Sequence, residues 1–598
     1  MAEADEVFHV DLRGVVDLLS HHLYSSPRVY LRELVQNAVD ASTARREHDP
    51  SAPATVRVVP ADVSADGRLH VVDAGIGLDE HGVRTALSTI GASTKRDALG
   101  MARDSYLGRF GIGLLSCFLV TDEIAVETET AGAAHAVRWR GRDDGGYTLE
   151  RTTARGTPGT TVSLAPRGSA AELLRAASVL RLVATYARHL DVDLVVETAD
   201  GPVRCARARF PWEEADGAPL LGRAAAWCQD VLGFAPLDVV PLADPATGLR
   251  GYAYVVPTAS AARPTARVYA QRMLVTENDH DLLPPWATFV RAVVDVSGLG
   301  LTASREALRT DATLDAVRDR LGAQLRTWLL RMAATDRPRA QAFFAVHHLG
   351  AKAMAAQDDA MLDVVADVLP WETTTGTATL TEFAAQQRII TYVDTLEHFR
   401  QVATVAAAQG IPVLNAGYAY DAAIVERFVA RTPGAESRRM PPEELTTHVD
   451  RLDADAEAVF LPLLDVARAV LARAEAEPIV RRFRPESLQA MLLVGDAAER
   501  DRDRRSVADL AGLADGPWGA ALASLADPTA AGPAFVLNAA NPSVRRLAGA
   551  DPTLQRLALE ALYAHALLAG GHPRTPFDSA LLARALPALI DHVITGGG

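Results

Sequence analysis

Lysine is almost missing from this chain of 598 residues. Lys95 and Lys352 are the only two, and arginine supplies the rest of the 60 basic residues. Beside the heavy use of alanine, that contrast is a mark of coding bias, as in a GC-rich bacterial genome. Cysteine is scarce too: Cys117, Cys205 and Cys228 show no metal-ligand spacing and cannot build a disulfide framework, which fits reduced thiols in a cytoplasmic protein. No run of 18 or more apolar residues occurs and no apolar segment opens the chain, so neither membrane spanning nor secretion is indicated. Basic excess is absent as well. A net charge of -15 argues against general nucleic-acid binding.

What is present is a globular composition, with 49% hydrophobic and 23% charged residues, in a chain long enough for about three or four domains. Tyr30 to Ala41 reads as a helix. Offsets of four and three put Glu33, Asn37 and Asp40 in one polar stripe, while Leu31, Leu34, Val35 and Ala38 form an apolar one. Taken alone, such a stripe is most simply a solvated surface. An acid and an amide one turn apart also suit a hydrated magnesium ion that arrives with phosphates, with Asn37 as the metal ligand. Glu33 could then take a proton from a water attacking the terminal phosphate.

Downstream, Gly67 to Asp73 reads as a short strand running into Gly75 and Gly77, which permit close backbone approach. A carboxylate at that strand end accepts from an exocyclic amine, which favours adenine over guanine. A second cluster, Gly108, Phe110, Gly111 and Gly113, precedes the apolar run Leu114 to Val120, so a phosphate-cradling loop opens what reads as a buried helix. Between the two clusters lies a candidate mobile lid whose Lys95 can reach phosphate.

These residues in this order, with Gly159-Thr160-Thr161 after them, resemble the four signature boxes of the GHKL ATPases, the superfamily of DNA gyrase, heat-shock protein 90, histidine kinases and MutL. Leu23 to Ala41 is similar to the heat-shock protein 90 family in particular. The resemblance implies a Bergerat fold, an α/β sandwich with ATP between helices and an antiparallel sheet. It also implies Glu33 as catalytic base, Asn37 as magnesium ligand, and Asp73 as adenine reader beside Gly77, with Thr160 supporting the adenine end. The Gly108 to Gly113 backbone and Phe110 would close over the phosphates. Asp40 would support the site. Two departures stand out: the segment from Gly91 to Leu107 is shorter than in bacterial relatives, and Arg109 replaces a common glutamine.

Arg267 to Val275 alternates like one half-buried strand. Leu283 to Leu308 resembles the middle domain of the same family, whose matching arginine is Arg305. A guanidinium suits contact with phosphate because it stays charged and donates twice. Its plainer reading is a salt bridge to a neighbour such as Glu306. Thr302 and Arg309 stand where the family has asparagine and glutamine. Further on, Leu314 to Met332 reads as a long helix. Arg388 to Val393, Thr395 to Gln409 and Ile411 to Leu414 read as a βαβ unit. Ala534 to Asn538 reads as a strand, followed by helices over Leu554 to Leu568 and Ser579 to Val593.

The expected fold class is therefore mixed α/β in three parts. These are an N-terminal ATP-binding domain over 1-200, an α/β middle domain over 211-434, and a mainly helical dimerisation domain over 435-598. The helix pair near the end has more apolar surface than a lone hairpin covers, which favours a homodimer. The resemblance implies an ATP- and magnesium-dependent chaperone, a homodimeric clamp acting on unfolded client proteins. The alternatives are a DNA-handling ATPase of the gyrase or MutL type and a scaffold with little hydrolysis. Asp496 to Arg505 is heavily charged where relatives carry a client-contacting helix. The final Thr-Gly-Gly-Gly is not the acidic tail that binds helper proteins in eukaryotes, so such helpers are not expected.

Overall fold

The computed structural model describes residues 26–87, 113–213, 220–259, 262–302, 304–500 and 532–596. They divide into two compact units, Met1–Trp328 and Leu329–Gly598. The content is mixed α/β, as the sequence pattern predicts.

The first unit is built on helix α1 (Val29–His48), which carries neither proline nor glycine and ends on Arg45, Arg46 and His48, cations that suit the negative end of the helix dipole. Its apolar stripe, with Leu31, Leu34, Val35 and Ala38, packs on an eight-stranded sheet. The strands are β1 (Thr55–Val59), β2 (Leu69–Asp73), β3 (Glu123–Glu129), β4 (Ala136–Arg142), β5 (Tyr147–Thr152), β6 (Gly159–Leu164), β7 (Asp193–Val196) and β8 (Val203–Arg204), in the order β5-β4-β3-β6-β2-β1-β7-β8. Neighbours are antiparallel except β1 and β7. Along β2 the residues at 69, 71 and 73 are buried. Alternation thus carries a carboxylate, Asp73, onto the face that Leu69 and Val71 bury in the core.

The apolar run after Gly113 forms a 3₁₀ segment, Gly113–Leu119, rather than an α-helix. It is a single short piece, and Gly113, Ser116, Cys117 and Phe118 are buried in it.

A second sheet of this unit has the order β12-β11-β13-β10-β9, with β9 (Asp238–Asp244), β10 (Leu249–Val255), β11 (Thr265–Ala270), β12 (Met273–Asp279) and β13 (Val290–Val296). Arg267 to Val275 is not one strand: it turns at Gln271 and Arg272, both at positive φ (47° and 69°). Arg272 holds the turn, since its backbone N–H donates to Asp295 at 2.8 Å and its guanidinium to the His189 carbonyl at 2.7 Å and to Glu213. Helix α2 (Ala312–Thr335) follows, and the division between the units falls inside it.

The second unit holds a five-stranded sheet, β15-β14-β17-β16-β18, made of β14 (Trp371–Thr373), β15 (Gly376–Ala378), β16 (Ile389–Val393), β17 (Leu414–Asn415) and β18 (Glu436–Arg439). Helix α3 (Leu396–Gln409) links β16 to its parallel neighbour β17. Thr395 caps it by accepting from the His398 N–H at 3.0 Å, and Gly410 ends it at φ 71°. The strand expected over Ile411 to Leu414 is narrower, with ladder pairing only at Leu414 and Asn415. A three-stranded sheet, β19-β21-β20, comprises β19 (Glu477–Arg481), β20 (Ala490–Leu493) and β21 (Ala534–Asn538), and helices α4 (Pro552–Ala569) and α5 (Pro576–Gly596) follow. No helix among the described residues is long and apolar enough to cross a membrane.

Candidate functional site

Three hydrogen bonds fix the turn after β2. The Ile76 N–H donates to the Ala41 carbonyl at 3.0 Å, Arg45 donates to the Ala74 carbonyl at 2.8 Å, and the Leu78 N–H donates to Thr128 Oγ1 at 2.8 Å. The turn after β2 is thereby pinned between the helix and β3. Gly77 sits there at φ 70°, and a Cβ on it would lie 1.9 Å from the Glu129 carbonyl oxygen, so no other residue fits. Gly75 is similarly crowded, with a would-be Cβ 2.5 Å from the Ala41 Cβ.

Asp73 faces this turn. One carboxylate oxygen, Oδ1, accepts from the Gly75 N–H at 2.8 Å and from the Thr160 N–H at 3.2 Å. No hydrogen bond among the described residues falls on the other oxygen, which leaves one acceptor for an amine. Burial raises the carboxyl from 3.8 to about 6, against the pull of both N–H donors and of Arg155. Thr160 pairs across the sheet with Asp73, and its hydroxyl lies 3.1 Å from that of Thr128.

On α1, Glu33 and Asp40 are buried and Asn37 is half-buried. The Glu33 carboxylate lies between two guanidinium groups: Arg305 Nη1 donates to Oε2 at 2.8 Å, while Arg32 donates to Oε1 at 3.1 and 3.3 Å. Arg305 also donates to Gln36 Oε1 at 2.6 Å. Arg32 in turn donates to the Ser304 carbonyl at 2.7 Å and the Arg305 carbonyl at 3.4 Å, which docks the arginine-bearing loop on the helix. Arg305 is held at φ 56°, unusual for a side chain with a Cβ. The buried acid that it pairs with is thus Glu33, 272 residues away in the chain. Gly113 abuts the same carboxylate, for a Cβ there would lie 2.4 Å from Glu33 Oε2. Beneath it the buried Cys117 thiol is pushed up by burial and by the Glu33 charge, so it stays protonated.

Of the residues singled out from the sequence, Glu33, Asn37, Asp40, Asp73, Gly75, Gly77, Gly113, Thr160 and Arg305 all lie in the first unit. Lys95, Gly108, Phe110 and Gly111 lie outside the described residues. Thr302 and Arg309 turn to local partners: Thr302 Oγ1 lies 3.2 Å from Ser304 Oγ, and Arg309 donates to Asp311 at 2.9 Å.

Comparison with known proteins joins the two halves of this geometry. Residues 24–154, which carry Glu33 and Asp73, match the family described as histidine kinase-, DNA gyrase B-, and HSP90-like ATPase. Residues 256–399, which carry Arg305, match the Hsp90 protein family. Over these segments the chain is similar to the Hsp90 proteins. It is 31% identical over 350 residues to the chaperone protein HtpG of Methylorubrum extorquens, covering 52% of this chain and 54% of that one. It is 27% identical over 404 residues to HtpG of Vibrio parahaemolyticus, covering 61% and 63%. The matched stretch spans about half the length of the first of these relatives.

Arg32, Gln36 and Thr128 belong to this Hsp90-like site but carry no sequence signal of their own. Arg32 looks like any helix charge until the Ser304–Arg305 carbonyls are seen beside it.

Proposed function

We propose that the chain is an ATP-dependent chaperone of the Hsp90 type, in which ATP binding and slow hydrolysis open and close a homodimeric clamp on unfolded client proteins. The observation that carries this reading is the ion pair between Arg305 and Glu33, because it joins the Hsp90-matched segment to the ATPase-matched helix in one site. A gyrase- or MutL-type machine has no need of the Hsp90 match at 256–399, and the acidic charge disfavours DNA.

Asp73 reads the adenine amine with its remaining oxygen, Thr160 supports that end, and Gly75 and Gly77 let the base approach the backbone. Asn37 offers a hard oxygen one turn beyond Glu33, which suits magnesium, and magnesium would neutralise phosphate charge. Gly113, Gly108, Phe110, Gly111 and Lys95 serve the phosphate end, Asp40 braces the helix, and Glu33 accepts the proton of the attacking water. Arg305 contacts the terminal phosphate. The domains run over 1-200, 211-434 and 435-598 in a cytoplasmic protein.

Support for dimerisation comes from α5. Leu586, Ile590 and Ile594 recur every four residues along it and are 61%, 48% and 72% exposed, an apolar stripe of the kind that a second copy covers.

The test is ATP turnover by the full chain with and without magnesium, together with suppression of aggregation of an unfolded protein and retention of duplex DNA. Magnesium-dependent turnover with suppression of aggregation is expected. Retention of DNA without chaperone activity would overturn the reading.

A further inference from the structure

Away from the nucleotide site, the second unit buries a histidine among acids. His398 lies in the first turn of α3, fixed by the Thr395 cap, and is fully buried. Neither ring nitrogen makes a hydrogen bond, although carboxylate oxygens stand on both sides. Nδ1 faces Asp394 Oδ1 at 3.6 Å, and that oxygen is itself buried without a partner. Nε2 faces Asp496 Oδ1 at 3.7 Å and Glu499 Oε1 at 3.3 Å. Asp496 and Glu499 are three residues apart in a helical turn after β20, so they share a face, and each is about one-third exposed.

Arg439, at the end of β18, fastens the acids. Its Nε donates to Asp394 Oδ2 at 2.6 Å, and its Nη2 pairs with Asp496 Oδ2. Three carboxylates and one guanidinium leave two negative charges around the imidazole. A proton on the ring cancels one of them, and a divalent cation cancels both.

We propose that His398, Asp496 and Glu499 form a zinc site. Ligand atoms in a tetrahedron around zinc stand roughly 3.3 to 3.6 Å apart, whereas an octahedral magnesium shell needs about 2.9 Å. The Nε2–carboxylate separations of 3.3 and 3.7 Å suit the former. One imidazole nitrogen with two carboxylates is a donor set that zinc accepts, and water would complete the tetrahedron. Asp394 then accepts from Nδ1–H, fixing the tautomer that presents Nε2 to the metal. Asp394 is a positioning residue. The ion would tie the turn after β20 to α3 and to the end of β18.

The experiment uses the full chain, stripped of metal by a chelator and titrated with zinc chloride against a chromophoric competitor. Glu499→Gln and Asp496→Asn are the test variants, since both positions are partly exposed and tolerate a neutral isostere. One zinc per wild-type chain is expected, weakened at least about 10-fold in either variant and roughly 10- to 100-fold in Asp394→Asn. Zinc should raise the melting temperature of the wild type and leave that of Glu499→Gln unmoved. No uptake by the wild type would mean that a proton, and not zinc, occupies the imidazole. Equal uptake by wild type and variants would place any bound zinc elsewhere. Either result overturns the proposal.

Discussion

Asp73→Asn should make this protein more stable at neutral pH while it loses ATP. Asparagine keeps an oxygen for the Gly75 and Thr160 N–H groups, so the turn after β2 retains both hydrogen bonds. What disappears is the buried charge. Burial raises the carboxyl from 3.8 to about 6, and two pK units correspond to about 3 kcal/mol of cost in the folded state at pH 7.5. The sign follows from proton uptake: the folded state holds the proton more tightly, so the cost is full above the folded value and fades as pH falls from about 6 toward 3.8. Thermal denaturation followed by circular dichroism should therefore show the variant melting several degrees higher at pH 7.5, with the gap closing at pH 4.5. Calorimetric titration at pH 7.5 should show ATP binding weakened by roughly 10- to 150-fold, the loss of one charge-assisted hydrogen bond worth about 1.5 to 3 kcal/mol. A variant that melts lower than wild type at pH 7.5, or binds ATP equally well, refutes this account of Asp73.

Other perturbations probe separate parts of the structure. Glu33→Ala should cut turnover at least about 100-fold while ATP affinity changes little, measured by phosphate release and calorimetry; unchanged turnover would remove Glu33 as base. Gly77→Ala should cost more than about 3 kcal/mol in chemical denaturation, since it meets both a left-handed φ and a carbonyl oxygen 1.9 Å from its Cβ. Ile590→Glu should shift the chain from dimer toward monomer at least about 10-fold in sedimentation equilibrium, whereas an unchanged mass would acquit the α5 stripe. At Arg305 both Gly and Ala remove the guanidinium, but Gly also relieves the φ of 56°, so its melting temperature should exceed that of Ala by the equivalent of about 1 kcal/mol.

Much of the site was legible because its signals are local. A 3.6-residue stripe on α1 and glycines after a strand end are written in consecutive residues, and Arg305 lies in a stretch long enough to be matched as a whole. The parts that escaped depend on distant partners. Gln36 reads as one more polar position on an amphipathic helix, and only the hydrogen bond from Arg305 brings it into the site. The turn at Gln271 and Arg272 lacks asparagine and glycine, so an alternating pattern ran through it unbroken. Its positive φ values are held by Asp295, His189 and Glu213, which no local pattern reveals. His398 and Asp394 are separated from Asp496 and Glu499 by about one hundred residues of chain, beyond the reach of any ligand-spacing rule.

The proposed function asks Arg305 to serve both Glu33 and phosphate, and the arrangement around Glu33 allows it. A buried carboxylate left alone costs about 3 to 5 kcal/mol when its partner departs, which would lock Arg305 onto Glu33. Here Arg32 remains, donating to Oε1 through two nitrogens while Arg305 uses Oε2. Two guanidinium groups meet on this one carboxylate, each on its own oxygen, and a guanidinium is a group that also engages phosphate oxygens. In the proposed function Arg305 would turn to phosphate while Glu33 keeps Arg32 as its counter-charge, and the freed Oε2 would be the acceptor that an attacking water needs. The Ser304–Arg305 carbonyls are themselves bonded to Arg32, so the same guanidinium holds both Glu33 and the loop that carries Arg305. The proposed coupling of nucleotide chemistry to the position of the Hsp90-matched segment would act at that point.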